Sequence, residues 1–379
     1  MPLMLNDEQQ MLAEAADGFV RENAPVAHLR ALRDRDDERG YDPDLWTRFA
    51  QMGFAGVLVD ETHGGSGLGA VEAGVIAEAL GRTLAPTPYF STGVLGAHLI
   101  SALGSEAQRE QWLSSIASGE ALIAMAIDEH TKHRPQATAL GARPSGNGFV
   151  LDGSKTFVVD GHVADAVVVL ARTSGEAGSA HGLSLFLVDP ATSGVGIERT
   201  RMVDSHNAAR ITFDKVQVAG DALIGPLDEG LSALQPTLDT GRACISAHLN
   251  GISAECFERT MEYLRTRQQF DRPIGSFQAL QHRAAHLFTE IELSRAATLA
   301  ALQRLDQDAD SAAADVAIAK AKAGRVAELA VQEAVQMHGG IGMTDEHDIG
   351  LFMKRVRVAQ EWLGDAAWHT EALARRHGY

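Results

Sequence analysis

The sequence predicts an α+β fold that is mostly α-helical, with an N-terminal helical domain, a middle antiparallel β-barrel and a C-terminal four-helix bundle. Before about Glu120 the apolar residues recur with helical spacing. From there to Pro226 short β-branched runs alternate with Gly, Asp, Asn and Ser. Beyond Pro226 long Ala-rich and Leu-rich helical patterns follow one another with short links. We therefore expect domains at residues 1–119, 120–226 and 227–379.

The composition is that of a globular protein with a substantial core. The chain has 379 residues, of which 45% are hydrophobic and 22% are charged. A formal net charge of −17 disfavours nucleic acid and anionic membrane surfaces as partners, although a local basic patch could still bind an acidic ligand. The N-terminus turns acidic at once, and no apolar run approaches ~20 residues. We expect a cytoplasmic protein that neither inserts into membranes nor binds nucleic acid.

The two cysteines carry little functional information. Cys244 and Cys256 both lie inside an apolar helical pattern, where a thiol usually packs as a small hydrophobic side chain. Two thiols form neither a disulfide framework nor a zinc set. We therefore expect no metal site.

The N-terminal third reads as several helices around one glycine-dense loop. A helix is expected from Asp7 to about Ala31, opened by Asn6 or Asp7 as a cap. Further helical patterns cover residues 43–52, 71–81, 91–103 and 108–118. The loop at residues 60–69 permits close approach to a ligand, but a plain turn explains its glycines equally well.

The middle and C-terminal parts differ in their periodicity. Short β-type runs separated by turn residues indicate a small antiparallel barrel or sandwich. We place them at residues 149–151, 156–159, 166–170, 183–188, 196–198 and 209–213. The helices of the C-terminal bundle are expected at residues 231–262, 278–305, 311–337 and 350–376.

The stretch at residues 263–281 organises the C-terminal half. Proline ends or kinks a helix at the preceding residue, so Pro273 makes this segment a bent link between two helices. It offers a guanidinium, an aromatic ring and a carboxamide, which suit a phosphate-bearing ring system. An ordinary helix–helix elbow with a surface arginine is the alternative. The residues that recur every three or four positions are Arg267, Phe270, Ile274 and Gln278.

Three motifs resemble those of the FAD-dependent acyl-CoA dehydrogenases. The first is Arg267-x-x-Phe270-x-x-Pro273-Ile274-x-x-Phe277-Gln278, and the second is Gln336-Met337-His338-Gly339-Gly340-Ile341-Gly342. The third is the N-terminal run Glu61-Thr62-His63-Gly64-Gly65-Ser66-Gly67-Leu68-Gly69. The resemblance covers essentially the whole chain and has the same order of helical, β and helical domains.

The resemblance implies FAD as cofactor and assigns residues to it. In that family the first two motifs hold the ADP half of a FAD seated mainly in the neighbouring subunit. It implies that Arg267, Phe270, Ile274 and Gln278, with Gln336, Gly339 and Gly340, contact that moiety. Ile127 and Phe157 are expected to contact the flavin that the chain itself seats.

The catalytic base of the family is missing from both of its usual positions. In the family, FAD takes a hydride from the β-carbon of an acyl-CoA while a glutamate takes the α-proton, which requires a base within hydrogen-bond reach. Leu363 occupies the common position of that glutamate, and Gly241 occupies the alternative one. Glu361 lies two residues earlier, on another helix face. His248, seven residues beyond Gly241, is the remaining candidate, with a structural histidine as the alternative.

Two flavin-facing positions also depart from the family pattern. Asp128 stands where relatives carry a threonine that binds the flavin, and a carboxylate beside a developing anion is repulsive unless protonated. Val159 replaces a second threonine and cannot donate its hydrogen bond. The positions altered therefore serve the chain's own flavin and substrate, whereas those offered to a neighbour's FAD are intact.

This asymmetry resembles the unequal subunits of bacterial heteromeric acyl-CoA dehydrogenases. We expect an α2β2 complex with a homologous subunit, an acyl-CoA substrate and an electron-accepting flavoprotein. Two alternatives are a self-sufficient homotetramer with an unusual base and a non-catalytic partner of the same fold. A third is another flavin oxidation whose substrate is not a CoA ester. Small side chains at Gly241, Ala243 and Ala247 suit either a bulky acyl group or close helix packing.

Overall fold

A computed structural model describes residues 3–379, which form two compact units. The helical unit contains the described residues up to Asp34, then Ala70–Ala85 and Arg242–Tyr379. The sheet unit contains Arg35–Gly69 and Pro86–Gly241. The N-terminal helices contribute to both units.

Eleven α-helices and ten strands are assigned within residues 3–379. The helices are α1 (Asp7–Asn23), α2 (Val26–Asp34), α3 (Pro43–Gln51), α4 (Ala70–Thr83), α5 (Ala97–Leu103), α6 (Glu106–Ala117), α7 (Gly230–Thr266), α8 (Gln278–Gln307), α9 (Ala313–His338), α10 (Ile349–Ala359) and α11 (Ala366–Arg376). The strands are β1 (Ile123–Ala126), β2 (Gly141–Ser145), β3 (Gly148–Val159), β4 (Ala166–Arg172), β5 (Leu183–Val188), β6 (Val195–Arg201), β7 (Asn207–Val218), β8 (Leu223–Ile224), β9 (Gln268–Gln269) and β10 (Arg272–Pro273). None of the described helices is long and apolar enough to cross a membrane.

The expected helix start at Asn6 is confirmed in detail. The Asn6 side chain accepts from the Gln9 backbone at 2.8 Å, and the Gln9 side chain accepts from the Asn6 backbone at 3.0 Å. This capping box satisfies two amide groups that a helix start would otherwise leave unpaired. The helix ends at Asn23, earlier than expected, because Pro25 lacks a backbone N–H to continue it.

The sheet unit contains an open eight-stranded sheet, where the sequence had led us to expect a barrel. Its strand order is β6-β7-β3-β2-β4-β5-β8, with β1 paired to β4 outside this path. The β1–β4 and β2–β4 pairs are parallel. The sheet is therefore mixed, whereas the sequence had predicted a purely antiparallel one. At one end β6 is largely exposed, as edge strands commonly are, while β1 is buried throughout. Closure depends on pairings between distant segments, which local periodicity does not reveal.

The helical unit is built around α9, which packs against α8, α10 and α11. The helix expected at residues 350–376 is divided into α10 and α11. Between them Leu363 and Gly364 adopt left-handed backbone conformations, with φ of 55° and 103°. A left-handed residue cannot continue a right-handed helix, so the chain turns here.

Two glycines bring α4 and α7 into backbone contact within the helical unit. A Cβ at Gly81 would overlap the carbonyl oxygen of His248, and one at Gly251 would overlap that of Glu78. Each helix therefore provides the glycine that admits the other's backbone. Neither glycine belongs to a motif, so this crossing could not be predicted from the sequence.

We expect Gly251→Ala to lower the free energy of unfolding by about 1–3 kcal/mol, because the added methyl group must push two backbones apart. Urea denaturation measures this change. The matched control is Gly18→Ala on α1, where a Cβ meets no atom within 4 Å. That control should raise stability by about 0.5–1 kcal/mol through helix propensity. Equal effects of the two substitutions would contradict the proposed crossing.

Candidate functional site

The segment from Arg267 to Gln278 forms a β-hairpin rather than a kinked helix. After α7 ends at Thr266, β9 pairs antiparallel with β10, and Pro273 lies opposite Gln268. The Ile274 backbone N–H donates to the Arg267 carbonyl at 2.8 Å and closes the hairpin at its base. A single 3-10 turn then leads into α8. Arg267 and Gln278 are exposed and Ile274 is half-buried, so the described chain leaves the two polar side chains accessible.

The tip of this hairpin places an aromatic residue in a strained and exposed position. Phe270 and Asp271 have φ of 54° and 61°, the left-handed pair of a tight hairpin turn that favours Asn and Gly. Phe270 is 85% exposed. Its ring lies edge-on to Phe277, with ring centroids 6.0 Å apart. A bulky residue in a left-handed conformation is uncommon, and here the conformation leaves the Phe270 ring exposed and available to a ligand.

The glycine motif lies at the end of α9, where backbone is open to the surface. Gly339 caps the helix with φ of 64°, and neither Gly339 nor Gly340 would place a Cβ within 4 Å of another atom. Gln336 is exposed, whereas His338 is buried and its ring stacks on Tyr263 with centroids 4.5 Å apart. Tyr263 lies one helical turn before Arg267. The two predicted ADP-binding segments are therefore neighbours in the helical unit.

These features fit the ADP half of FAD. The hairpin supplies a guanidinium and an aromatic ring, and the glycine turn supplies accessible backbone beside an exposed carboxamide. Phosphate oxygens prefer guanidinium and backbone N–H donors, and an adenine ring packs against exposed aromatic surface. No cluster of three or more metal-ligating side chains occurs among residues 3–379.

The loop at residues 360–365 holds the common position of the family's glutamate, and its backbone is firmly anchored. The Leu363 carbonyl accepts from Arg242 Nε at 3.1 Å and lies 3.2 Å from His369 Nε2. Lys320 is fully buried and donates to the carbonyls of Gln360 and Gly364, each at 2.9 Å. Burial lowers the pKa of Lys320 to about 7.

Neither Leu363 nor Glu361 provides a suitable general base in this loop. The Leu363 side chain is 9% exposed and aliphatic, so it cannot accept a proton. Glu361 forms an ion pair with Arg357 at 3.2 Å, one turn earlier on α10. That pairing is typical of a helix-surface charge.

His248 lies buried where α7 crosses α4. Its Nδ1 is 3.3 Å from the Ala77 carbonyl oxygen, and it is 8% exposed. A carbonyl only accepts, so this contact requires a proton on Nδ1. The position is explained by helix packing, and the tautomer remains compatible with a base. Gly241, the alternative glutamate position, is the last residue of the sheet unit.

Asp128 is engaged by its own loop in the sheet unit. Its carboxylate lies 2.8 Å from His133 Nδ1 and accepts from the Arg134 backbone at 3.0 Å. It therefore serves as an anchor for residues 128–134. Ile127 is 4% exposed, and its carbonyl accepts from Lys155 Nζ at 3.0 Å. The part of Ile127 available to a ligand is accordingly limited.

Phe157 lies in a β-bulge. The register between β3 and β7 shifts between Lys155 and Val158, and Phe157 adopts φ of 57° with 38% exposure. A bulge of this kind reorients a side chain relative to the sheet. Val159 returns to regular pairing opposite Ala208.

Two buried polar groups beside this region were missed by sequence reasoning. Asp160 accepts from Ser91 Oγ at 2.6 Å and lies 3.0 Å from His206 Nε2. Lys155 pairs with Glu129 at 2.9 Å, and burial lowers the pKa of Lys155 to about 8. Asp160 stands where the family motif has asparagine, which could have indicated a changed partner. The sequence did not identify that partner, because His206 is distant along the chain.

Family models match almost the whole chain. They describe the N-terminal, middle and C-terminal domains of acyl-CoA dehydrogenases at residues 6–120, 126–216 and 228–378. The chain belongs to the acyl-CoA dehydrogenase family. Members of this family are flavin oxidoreductases acting on CH–CH bonds, and FAD is the cofactor, as the motifs had predicted.

Individual relatives agree over nearly their full lengths. The acyl-CoA dehydrogenase IpdE2 of Mycobacterium tuberculosis is 30% identical over 94% of this chain and 93% of its own. A chain of the ChsE4-ChsE5 complex of the same species is 28% identical with a TM-score of 0.89, over 100% of this chain and 99% of that one. Butyryl-CoA dehydrogenase of Megasphaera elsdenii is 26% identical with a TM-score of 0.90, over the whole of both chains. The predicted acyl-CoA dehydrogenase fold class is confirmed.

We expect Phe270→Asn to raise stability while weakening FAD retention. Asparagine tolerates the left-handed conformation, so the free energy of unfolding should rise by about 1 kcal/mol. Removal of the ring should weaken FAD binding about tenfold, which corresponds to about 1.4 kcal/mol. Thermal unfolding and flavin release measure the two effects.

The matched control for this test is Asp271→Asn in the same turn, which leaves the Phe270 ring in place. Its FAD retention should equal that of the wild type. If Phe270→Asn also retained FAD like the wild type, the exposed ring would have no role in binding the cofactor.

Proposed function

We propose that this chain is one subunit of a heteromeric α2β2 acyl-CoA dehydrogenase that introduces an α,β double bond into a CoA thioester. The observation that carries the proposal is Leu363, an apolar side chain in an anchored loop at the usual position of the family's base. The exposed hairpin and glycine turn of the same unit keep the features needed for FAD. The similar chain from the ChsE4-ChsE5 complex supports such an arrangement, since that assembly contains two different chains.

In this proposal the chain supplies contacts to the nucleotide end of the cofactor. FAD, when bound, accepts the hydride that leaves the β-carbon. Arg267 neutralises pyrophosphate charge, and Phe270 offers its ring to the adenine. The other contacts come from Ile274, Gln278, Gln336, Gly339 and Gly340. Charge-assisted hydrogen bonds from a guanidinium are among the strongest available to a phosphate.

The proton of the α-carbon is taken by the homologous subunit. In this chain Leu363 has no basic atom, and Asp128 is paired with His133 and Arg134. The chain's own flavin-facing positions, including Ile127 and Phe157, therefore belong to a site that lacks a catalytic base. If the chain acts as a homotetramer instead, His248 is the base, with Nε2 receiving the proton.

The remaining partners follow from this chemistry. A reduced flavin must pass its electrons on, and we infer an electron-accepting flavoprotein for that step. A similar solved chain comes from work on an electron transferring flavoprotein of Acidaminococcus fermentans, with 27% identity and a TM-score of 0.91. A cytoplasmic location stays a prediction.

Flavin counting tests the heteromeric proposal. We expect the chain purified alone to lack acyl-CoA oxidation, and the complex with a coexpressed homologue to hold one FAD per pair of unlike chains. Mass measurement of the complex and its visible absorbance give the ratio. A chain that binds one FAD of its own and oxidises an acyl-CoA unaided would overturn the proposal.

A second experiment separates the two sources of the base. We expect His248→Gln to leave turnover by the heteromeric complex within about threefold of wild type, because the base lies on the other subunit. Loss of a general base would cost about 10²- to 10⁴-fold. The control is His377→Gln, which changes an exposed histidine near the C-terminus. A loss in that larger range for His248→Gln alone would assign the base to this chain.

A further inference from the structure

Three aromatic rings join the segments that surround the predicted ADP site. The His338 ring stacks on the Tyr263 ring and contacts the His347 ring at a tilt of 53°, with both centroid distances equal to 4.5 Å, and we call these three rings the ring stack. Tyr263 belongs to the end of α7, His338 to the end of α9, and His347 to the loop before α10. His338 is 3% exposed, so the middle ring is enclosed by its neighbours.

We propose that this ring stack is the positioning device that aligns the two FAD-binding segments, and that its histidines make FAD retention sensitive to pH. The inference rests on the proposed function of those segments. Tyr263, His338 and His347 act here as positioning residues, since none of them has to contact the cofactor for the device to work.

The backbone connects two of the three rings, Tyr263 and His338, directly to predicted ligand contacts. The Arg267 N–H donates to the Tyr263 carbonyl at 2.8 Å, in the last turn of α7. His338 is followed at once by Gly339, and its Nδ1 donates to the Ala334 carbonyl at 2.7 Å within α9. A shift between the rings therefore moves Arg267 relative to the glycine turn. Displacements of about 1 Å are enough to weaken a preorganised binding site.

Ion pairs fix the loop residues Asp345 and Asp348, which lie on either side of His347. Arg33 forms two hydrogen bonds to the Asp345 carboxylate, at 2.6 and 2.8 Å. Arg30 and Arg259 bind the two oxygens of Asp348, at 2.9 and 3.0 Å. Bidentate guanidinium–carboxylate pairs fix geometry as well as charge. The residues on both sides of His347 are thus tied to α2 and α7.

Burial is the main cause of a lowered pKa at both histidines. The pKa of His338 lies below its ordinary value through burial and through the nearby Arg259 and His347, despite the opposing bond to Ala334. Burial and Arg259 likewise lower the pKa of His347, against the opposing charge of Asp348. Tyr263 is the remaining titratable group against these rings.

The direction of the pH effect follows from these shifts. A histidine with a lowered pKa in the folded state stabilises that state above its ordinary pKa of about 6.5. The stabilisation is lost as the pH falls through the lowered folded values. Protonation of His338 also places positive charge near Arg259 and against the rings of Tyr263 and His347. We therefore expect the stack to loosen, and FAD to be retained less well, below about pH 6.5.

The test measures FAD dissociation from the coexpressed complex between pH 5 and pH 8 by flavin fluorescence. Wild-type affinity should fall about tenfold between pH 7.5 and pH 5.5. His338→Phe keeps a ring without titration, so it should retain affinity at pH 7.5 within about threefold and show a flatter pH response. His338→Ala removes the ring and should lose about tenfold at pH 7.5. The exposed His377→Ala is the control and should follow the wild type.

A purely structural role would lower thermal stability without changing the pH response of FAD release. Thermal unfolding of each variant is therefore recorded in parallel, and Tyr263→Leu provides a second way to break the stack if His338→Ala does not fold. The inference is overturned if His338→Phe keeps the wild-type pH response, or if both ring-removing variants bind FAD like the wild type. A wild-type complex without FAD at pH 7.5 would instead overturn the proposed function, and this inference with it.

Discussion

Close packing around α9 is the constraint on which the rest of the helical unit depends. Its buried positions are mostly small, and they include Ala319, Ala323, Ala327 and Ala330. Small side chains let α8, α10 and α11 approach the same helix, each from a different side. The larger buried groups of α9 are then placed with little freedom. Lys320 reaches the loop at the lost base position, and His338 enters the ring stack beside the glycine turn.

Three of the bulky residues with left-handed backbone conformations lie in or near the candidate site, whereas others, such as Leu84 and Lys215, lie outside it. Phe157, Phe270 and Leu363 all have positive φ, which costs an ordinary residue roughly 1–2 kcal/mol. Each stands at a position that the family motifs associate with cofactor or base. Phe157 and Phe270 are partly or largely exposed, whereas Leu363 is buried in its loop. The strain at Leu363 is explained by the anchored turn, whereas that at Phe157 and Phe270 is compatible with the ligand contacts proposed for them.

The sequence predicted the fold class, FAD as the cofactor and the first helix cap, because each depends on local patterns or motifs. It did not predict the hairpin after Thr266, since the turn residues Phe270 and Asp271 include no glycine. An open sheet and a closed barrel have similar strand patterns, so periodicity could not separate them. Partners such as Asp160 and His206 come together only through the pairing of β3 with β7. Their contact is a property of the sheet register rather than of any segment.

Helix α9 separates the loop at the usual base position from the predicted FAD-binding segments. Lys320 and His338 are eighteen residues apart, a distance of about 27 Å along a helix axis. Substitutions this far apart, with no shared partner, act nearly independently on stability. The loop at residues 360–365 is held through its carbonyl oxygens, so its backbone anchors are satisfied whatever side chain residue 363 carries. Leucine at that position is therefore compatible with an undisturbed hairpin and glycine turn, and under the proposed function the chain completes a FAD site for its partner.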